Sequence, residues 1–259
     1  MFSRLKLITF DAKDTIICMK KSAGRLYGEV ASLYGVSIQE SDIKRMESSF
    51  GSCFNHVNTL YPNYGNGNQV NQSVSNGVTD QSGQITLLKW WSMVIESVFR
   101  SADVKVQPDV LNQICVHSFK SFASSDCWSV KGNALQDLSK IKTIRPELKM
   151  AVVSNGDERL RPLLIHLGLE HLFDFIIDSH TFKCEKPSKE IFDTALTKAG
   201  LDDPSLALHV GDDILTDYNG AKNAGWNAML LLDEEKISQF RDKANEEEII
   251  TRIEQLINK

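Results

Sequence analysis

The feature that most constrains the fold is an alternation of apolar and amphipathic segments after about residue 125. Each apolar segment, such as LKMAVVSNGD, is a short continuous run that ends in small polar residues. This is typical of a strand buried on both faces of a parallel sheet. Comparable runs are FDFIIDS, SLALHVGDD and WNAMLLL, the last clear strand, and between them lie helical segments such as ERLRPLLIHLGL and PSKEIFDTALTKAGL. Strands that alternate with helices predict a parallel α/β sheet.

A further strand is predicted at the N-terminus, where LITF leads directly into Asp11. The sequence that follows has helical periodicity, as in GRLYGEVASLYGV and ITLLKWWSMVIESVFRSA. We therefore predict a doubly wound parallel-sheet core formed by residues 1–17 and 125–259, with an α-helical cap, residues 18–124, inserted after the first strand. Residues 63–84 are mostly Asn, Gly, Ser and Gln, and this composition predicts a disordered or mobile loop.

Composition excludes several functional classes. The net charge of −5 and the lack of a basic block give no support for a nucleic-acid or anionic-membrane partner. No apolar run approaches the roughly 20 residues that span a bilayer. The five scattered cysteines never form a CxxC pair, which disfavours a disulfide framework or a zinc site and favours a reducing, cytoplasmic location. The segment MFSRLKLITF is better explained as the first core strand than as a targeting peptide.

Polar side chains gather at the predicted carboxyl ends of the strands, where parallel α/β sheets place their chemistry. They are Asp11 after the first strand, Ser154 and Asn155 after the second, Asp212 and Asp213 after SLALHV, Asp217 on the following helix, and Lys186 in the loop CEKPSKE. Carboxylates this close favour a hard cation such as Mg²⁺. A hydroxyl, backbone N–H groups and an ammonium suit phosphoryl oxygens, and a carboxylate beside them can act as a nucleophile. Taken singly, Asp11 is also consistent with a turn, Ser154 and Asn155 with a helix cap, and Lys186 with a solvated loop position; for Ser154 and Lys186 that ordinary role is the more common one.

Four ordered motifs, FDAKDT, VVSNGD, CEKP and HVGDDILTD, resemble those of the haloacid dehalogenase superfamily of hydrolases. The resemblance implies that Asp11 is the nucleophile and a Mg²⁺ ligand, and that Ser154 binds the phosphoryl group. Asn155, beside Ser154, and Lys186 are further predicted substrate-binding residues. It implies that Lys186 balances charge on the nucleophile and phosphate, and that Asp212 is the main acidic metal ligand. Asp217 fits the spacing of the second carboxylate, which supports the metal ligands. The substrate implied is a small phosphorylated molecule.

Lys13 departs from the pattern of the resembling phosphatases, which have an aspartate there that acts as general acid and base. The backbone carbonyl of Lys13 can still reach the metal, but the side-chain role is lost. A positioned acid–base group contributes typically ~10²–10⁴-fold to rate. We therefore expect a Mg²⁺-dependent phosphomonoesterase that acts through an aspartyl-phosphate at Asp11, with Lys13 favouring low activity.

Several alternatives to this expectation stay open. Lys13 could itself be the acid, with a pKa lowered by a nearby cation and partial burial. Asp14 could substitute for the missing aspartate. The chain could be a binding protein that keeps the scaffold without turnover. A metal-independent dehalogenase needs no aspartate at Lys13, but it would leave Asp212 and Asp217 without an obvious purpose.

Overall fold

The computed structural model describes residues 4–66, 85–240 and 242–258. The chain divides into two compact units, one formed by Met1–Cys18 and Trp128–Lys259 and the other by Met19–Cys127. Within the described ranges, no helix combines the length and the apolar character needed to span a bilayer.

The first unit is built on a parallel sheet. Its strands are β1 (Leu7–Phe10), β4 (Lys149–Ser154), β5 (Phe175–Asp178), β6 (Ala207–Gly211), β7 (Asn227–Leu231) and β8 (Ile249–Ile250), and the short strands β2 (Ile17–Met19) and β3 (Trp128–Val130) pair separately. The order in the sheet is β5-β4-β1-β6-β7-β8, and the neighbouring strands are parallel. The predicted parallel α/β core is confirmed. The sequence did not indicate β8, a strand of two residues, and WNAMLLL is therefore not the last strand.

Helices cover both faces of this sheet. They are α5 (Ala134–Ile144), α6 (Leu160–His166), α7 (Ser179–Phe182), α8 (Lys189–Lys198) and α9 (Gly220–Asn223). In β1, Ile8 and Phe10 belong to the apolar cluster that contains Leu138 of α5. Leu7 belongs to a second cluster, which contains Phe192 of α8. Because successive side chains of a strand point to opposite faces, the two clusters lie on the two sides of the sheet, as a doubly wound fold requires.

A helical turn that the sequence did not distinguish precedes α9. Residues Ile214–Asn219, which include Asp217 of the predicted helix, form a π-helical turn between β6 and α9. The turn begins at Asp213, whose carboxylate Oδ1 accepts hydrogen bonds from the backbone N–H groups of Leu215 and Thr216 at 2.8 and 2.7 Å. A short polar side chain that satisfies free N–H groups is a standard helix N-cap. Asp213 is therefore a capping residue.

The second unit is helical in the part that the structure describes. Its helices are α1 (Ala23–Leu33), α2 (Glu40–Leu60), α3 (Leu87–Ser101) and α4 (Pro108–Ser121). Trp90 of α3 is completely buried, and its indole N–H donates to the carbonyl of Tyr61 at 2.8 Å. Its ring packs edge-on against Phe54 of α2 at 5.3 Å between centroids. The aromatic face of α3 thus forms a core of the bundle, as its helical periodicity predicted.

The prediction of a disordered or mobile loop over residues 63–84 is wrong for its first residues. Residues Asn63–Gly65 form a 3-10 turn in which Asn63 and Tyr64 are buried. The Tyr64 ring lies 4.9 Å from that of Trp90, measured between centroids. An aromatic residue with this partner is ordered by burial even though its neighbours are polar. Residues 67–84 of the predicted loop lie outside the described residues.

Candidate active site

Three carboxylates converge at the carboxyl edge of the sheet in the first unit. Asp11 follows β1, and its backbone N–H donates to the carbonyl of Val210 in β6 at 2.8 Å. Asp212 follows β6, and the π-helical turn returns Asp217 toward it. Each residue offers one carboxylate oxygen, and these three oxygens lie within 4.8 Å of one another. This arrangement follows from the register of β1 and β6, in which Phe10 lies opposite Val210.

Lys186 supplies a buried cation to the same cluster. It comes from the loop between α7 and α8 and is 2% exposed. Its ammonium donates to Oδ1 of Asp11 at 2.6 Å and to Oδ1 of Asp217 at 2.5 Å. A buried charge is tolerated when it is paired and hydrogen-bonded. Here the Lys186 ammonium is paired with the carboxylates of Asp11 and Asp217.

Asn155 holds the backbone of Lys186. Its amide nitrogen donates to the Lys186 carbonyl at 2.8 Å, and its amide oxygen accepts the Lys186 N–H at 2.7 Å. The side chain that we predicted to bind substrate is thus directed at the loop that carries Lys186. Ser154, the last residue of β4, is buried at the same edge of the sheet, since Val152 lies opposite Phe10.

Asp217 uses both of its carboxylate oxygens within the protein. Oδ1 accepts from Lys186 and lies 3.1 Å from Nε2 of His209, while Oδ2 accepts the backbone N–H of Asp213 at 3.0 Å. The side chain is 2% exposed. A carboxylate engaged in this way is suited to organise its neighbours rather than to present lone pairs outward.

His209 and its partner Thr9 were not among the residues predicted from the sequence. The imidazole Nδ1 lies 2.7 Å from the Thr9 hydroxyl oxygen, and the two residues are directly opposite in β6 and β1. Both side chains are buried. The signal was a single histidine inside the apolar run SLALHVGDD, and such a residue is found more often in a core than in a site.

The charges of the cluster shift its pKa values in different directions. Burial raises the pKa of the Asp11 carboxyl, because loss of solvent outweighs the attraction of Lys186, and repulsion from Asp217 adds to the rise. Burial opposes the charge on Lys186, but Asp11 and Asp217 outweigh it and raise the pKa of the ammonium. Burial also opposes ionisation of Asp217, yet Lys186 and His209 hold its pKa well below the usual range. Lys186 and Asp217 are therefore a stable ion pair.

Asp212 is a further carboxylate whose surroundings oppose its ionisation. Burial raises its pKa to about 7, and the charges of Asp11 and Asp217 contribute to the rise. The hydroxyl of Thr15 donates to its Oδ1 at 3.3 Å. A carboxyl group whose pKa is raised by burial and by neighbouring carboxylates strongly favours a nearby cation.

Lys13 forms an ion pair with its neighbour, Asp14. Its ammonium lies 2.6 Å from Oδ2 of Asp14, and its side chain is 60% exposed. Partial burial lowers the pKa of Lys13, but the hydrogen bond and charge of Asp14, with the charges of Asp212 and Asp11, outweigh it and raise the pKa. Within the protein alone, the charges around Lys13 are negative and favour its ammonium form.

Asp14 has an unusual backbone conformation. Its φ angle is +61°, in the left-handed region that glycine adopts without strain and that Asp tolerates better than most residues. The Asp14 carbonyl accepts a hydrogen bond from the Lys131 ammonium at 2.5 Å. The turn after Asp11 is thus held from both sides, by Lys13 on the carboxylate and Lys131 on the carbonyl.

Curated relatives resemble the chain over most of its length. It is 32% identical over 257 residues to haloacid dehalogenase-like hydrolase domain-containing protein 3 of Mus musculus, with 98% of this chain and 93% of the relative covered. It is 30% identical over 233 residues to rhythmically expressed gene 2 protein of Drosophila melanogaster, with 88% of this chain and 84% of the relative covered.

Solved structures share the fold at low sequence identity. A 2-haloacid dehalogenase from Pseudomonas syringae superposes with a TM-score of 0.63 at 18% identity, covering 98% of this chain and 97% of the other. A predicted phosphoglycolate phosphatase from Haemophilus somnus gives 0.61 at 17% identity, also with 98% and 97% covered. YfnB of Bacillus subtilis, in a magnesium-bound form, gives 0.61 at 15% identity, with 88% and 89% covered.

The family assignment combines the sequence match with the architecture of the first unit. A family model described as haloacid dehalogenase-like hydrolase matches residues 5–225, a span that includes Asp11, Ser154, Lys186, Asp212 and Asp217. Asp11, Ser154 and Asp212 lie at the carboxyl ends of the neighbouring strands β1, β4 and β6, and the segments that follow bring Lys186 and Asp217 to the same cluster. The chain therefore belongs to the haloacid dehalogenase-like hydrolase family.

Proposed function

We propose that the protein is a Mg²⁺-dependent phosphomonoesterase in which Asp11 is the nucleophile. The observation that carries the proposal is the buried pair of Asp11 and Lys186, 2.6 Å apart, beside the carboxylates of Asp212 and Asp217. A nucleophilic carboxylate needs a fixed orientation and a cation that balances its charge and that of the phosphoryl group. Lys186 meets both requirements.

The donor set fits a magnesium ion. Three carboxylate oxygens within 4.8 Å of one another are hard ligands of the type that Mg²⁺ prefers. In our proposal Asp11, Asp212 and the backbone carbonyl of Lys13 hold the ion. Asp217, whose oxygens are engaged by Lys186, His209 and the Asp213 N–H, supports them. When bound, Mg²⁺ supplies positive charge that offsets the repulsion among the carboxylates and polarises a phosphoryl oxygen.

The proposed reaction has two steps. Oδ1 of Asp11 accepts the Lys186 hydrogen bond, which leaves Oδ2 to attack phosphorus. The new bond from Oδ2 to phosphorus forms as the bond to the ester oxygen breaks, and the leaving alkoxide takes a proton from water. A second water then attacks the phosphorus of the aspartyl-phosphate, releasing inorganic phosphate and the Asp11 carboxylate, while its proton passes to solvent. Ser154 and Lys186 hold the phosphoryl oxygens during both steps.

Lys13 limits the rate in this scheme. Its pKa is raised by Asp14, Asp212 and Asp11 in spite of partial burial, so it stays a cation and cannot remove a proton from water. Without a general base, the second step loses a contribution of typically ~10²–10⁴-fold. The same cation is well suited to attract a phosphate group. A phosphate-binding protein with little turnover is thus the second candidate function, and the Lys13–Asp14 pair is the observation that favours it.

The partner we propose is a small phosphorylated molecule. Neither a nucleic-acid nor a membrane partner is expected, in keeping with a net charge of −5. We also propose a cytoplasmic location. It is supported by the cysteines: Cys18, Cys53, Cys115, Cys127 and Cys184, all within the described residues, are free thiols.

The test is phosphate release from a panel of small phosphate esters, with MgCl₂ or with EDTA, by the wild type and by Asp11→Asn. We expect slow release that requires Mg²⁺ and disappears in Asp11→Asn. Halide release from 2-haloacids is measured in parallel, because a metal-independent dehalogenase would give halide in EDTA. Equal phosphate release by Asp11→Asn and wild type would exclude Asp11 as the nucleophile. Tight phosphate binding without release would favour the binding protein.

A further inference from the structure

A histidine outside the predicted site is connected to its buried charges. His209 lies in the middle of β6 and is 1% exposed. Its ring is in contact with Phe192 on one side, edge-on at 5.4 Å between centroids. Its two nitrogens face Thr9 and Asp217, at 2.7 and 3.1 Å. The residue is therefore fixed by packing and by both of its polar atoms.

The partners of the ring determine which nitrogen donates. The Asp217 carboxylate is paired with Lys186 and can only accept, so Nε2 of His209 carries the proton directed at Oδ1. The other nitrogen, Nδ1, accepts from the Thr9 hydroxyl in a neutral ring. Thr9, His209, Asp217, Lys186 and Asp11 thus form one continuous chain of hydrogen bonds through the core.

We propose that His209 is a positioning residue that sets how Lys186 is divided between Asp217 and Asp11. The His209 N–H and the Lys186 ammonium share a single oxygen, Oδ1 of Asp217. The N–H offsets part of the Asp217 charge, so that the ammonium is left for Asp11. Without that N–H, Asp217 draws Lys186 toward itself and Asp11 loses its counter-charge.

Asp217 cannot absorb the change by moving. A β-carbon on Gly211 would lie 2.2 Å from the Asp217 carboxylate, so the carboxylate is packed directly against the backbone of β6. Its Oδ2 is also held by the Asp213 N–H at 3.0 Å. The flexible partner in this cluster is the four-carbon side chain of Lys186, and it is Lys186 that responds when His209 is altered.

This inference rests on the proposed function for its effect on rate, but not for its effect on Lys186. The test compares His209→Gln with His209→Met, because the Gln amide can replace the Nε2–H donor whereas Met fills similar space with no donor. Thr9→Ser and Thr9→Val form a second pair, in which only serine keeps the hydroxyl. His171→Gln, at an exposed position of the same unit, is the control.

Two measurements report on Lys186. One observes its ammonium directly, and the other observes ligand binding at Asp11, its partner. The first is the NMR signal of the Lys186 ammonium in protein labelled with ¹⁵N-lysine, assigned by its loss in Lys186→Arg. The second is calorimetric binding of beryllofluoride with MgCl₂, a phosphoryl mimic that binds carboxylates. We expect His209→Met to shift the ammonium signal and to weaken beryllofluoride binding by about 10–100-fold, the usual effect of removing a group that orients a ligand. We expect His209→Gln to stay near wild type, and kcat to fall more than KM rises in His209→Met.

The outcomes separate this inference from the proposed function. If the wild type neither releases phosphate nor binds beryllofluoride, the proposed function fails and the ammonium signal alone decides. A signal that moves in His209→Met and not in His209→Gln supports the positioning role. A signal unmoved in both, or moved equally in both, overturns it. If His209→Met does not fold, Thr9→Val against Thr9→Ser decides by the same criterion, with circular dichroism as the check on folding.

Discussion

The carboxylate of Asp217 occupies the space in which a side chain on Gly211 would begin. A β-carbon built on Gly211 would lie 2.2 Å from both Cγ and Oδ2 of Asp217. Real β-carbons do not approach other heavy atoms so closely, so a glycine is required at the end of β6. The contact fixes the carboxylate that anchors Lys186 and thereby positions the cation beside Asp11.

Gly211→Ala should displace Asp217 and disorganise the cluster. We expect a loss of about 1–3 kcal/mol in the free energy of unfolding from overpacking. We also expect loss of phosphate release, because Lys186 loses one of its two carboxylate partners. Urea denaturation and phosphatase assays measure the two effects. Gly51→Ala is the control, since a methyl group there would have no described atom within 4 Å and alanine favours its exposed helical site. Equal stability of Gly211→Ala and wild type would contradict the packing argument.

Replacing Lys13 should restore an acid–base group. We expect the double variant Lys13→Asp with Asp14→Gly to raise turnover by about 10²-fold or more, the contribution of a positioned general acid and base. Glycine at residue 14 relieves the φ of +61° and removes a competing carboxylate. Steady-state phosphate release measures the change. Lys13→Gln with Asp14→Gly, which removes the ammonium without adding a carboxylate, is the matched control. Equal rates for these two double variants would show that residue 13 does not limit turnover.

The raised pKa of Asp212 predicts a pH-dependent stability of the metal-free protein. Its folded pKa of about 7 lies above the usual 3.8, so the folded state holds an extra proton between about pH 4 and pH 7. The contribution of Asp212 to the stability of the folded state is fully present below about pH 4 and is lost as the pH rises through 7. The side chain in Asp212→Asn does not titrate. In EDTA at pH 8, the free energy of unfolding of this variant should therefore exceed that of wild type by about 1 kcal/mol or more, which corresponds to ~2–4 °C in melting temperature.

The advantage of Asp212→Asn should disappear as the pH is lowered to about 4, where both side chains are neutral. MgCl₂ at pH 8 should stabilise wild type more than Asp212→Asn, because only the wild type offers the carboxylate. Melting curves of both proteins across this pH range test the prediction. A constant difference at every pH would contradict the assigned direction of the shift.

Asn155→Ala should loosen the loop that carries Lys186. The amide makes hydrogen bonds of 2.7 and 2.8 Å with the Lys186 N–H and carbonyl, and alanine leaves both groups without that partner. We expect a loss of about 1–3 kcal/mol in unfolding free energy and weaker phosphate binding. Denaturation and calorimetric titration with inorganic phosphate measure these effects. Asn155→Asp keeps the acceptor for the Lys186 N–H but turns a carboxylate oxygen toward the Lys186 carbonyl, so it should restore neither property. Wild-type stability in Asn155→Ala would contradict the role of the amide.

The sequence alone indicated five of the six strands of the sheet and the identity of most charged residues in the cluster. Runs such as LKMAVVSNGD are buried on both faces, so they contain little but apolar residues, and their polar ends mark the edge at which ligands bind. The two-residue strand β8 and the turn at Tyr64 were missed, because neither is long enough to show a period. Their placement depends on β7 and on the ring of Trp90, which are distant in sequence.

What the sequence determined, then, is the parallel fold and the set of residues delivered to the strand ends, because strand burial and the alternation of strands with helices along the chain show in local sequence patterns. What only the tertiary structure decided is how those residues share their protons and charges. Lys13 pairs with Asp14, Asn155 holds Lys186, and His209 and Lys186 share one oxygen of Asp217. These relations depend on distances of about 3 Å between side chains, most of them far apart in the chain, where hydrogen bonds and charges are strongest, and no local pattern records such distances.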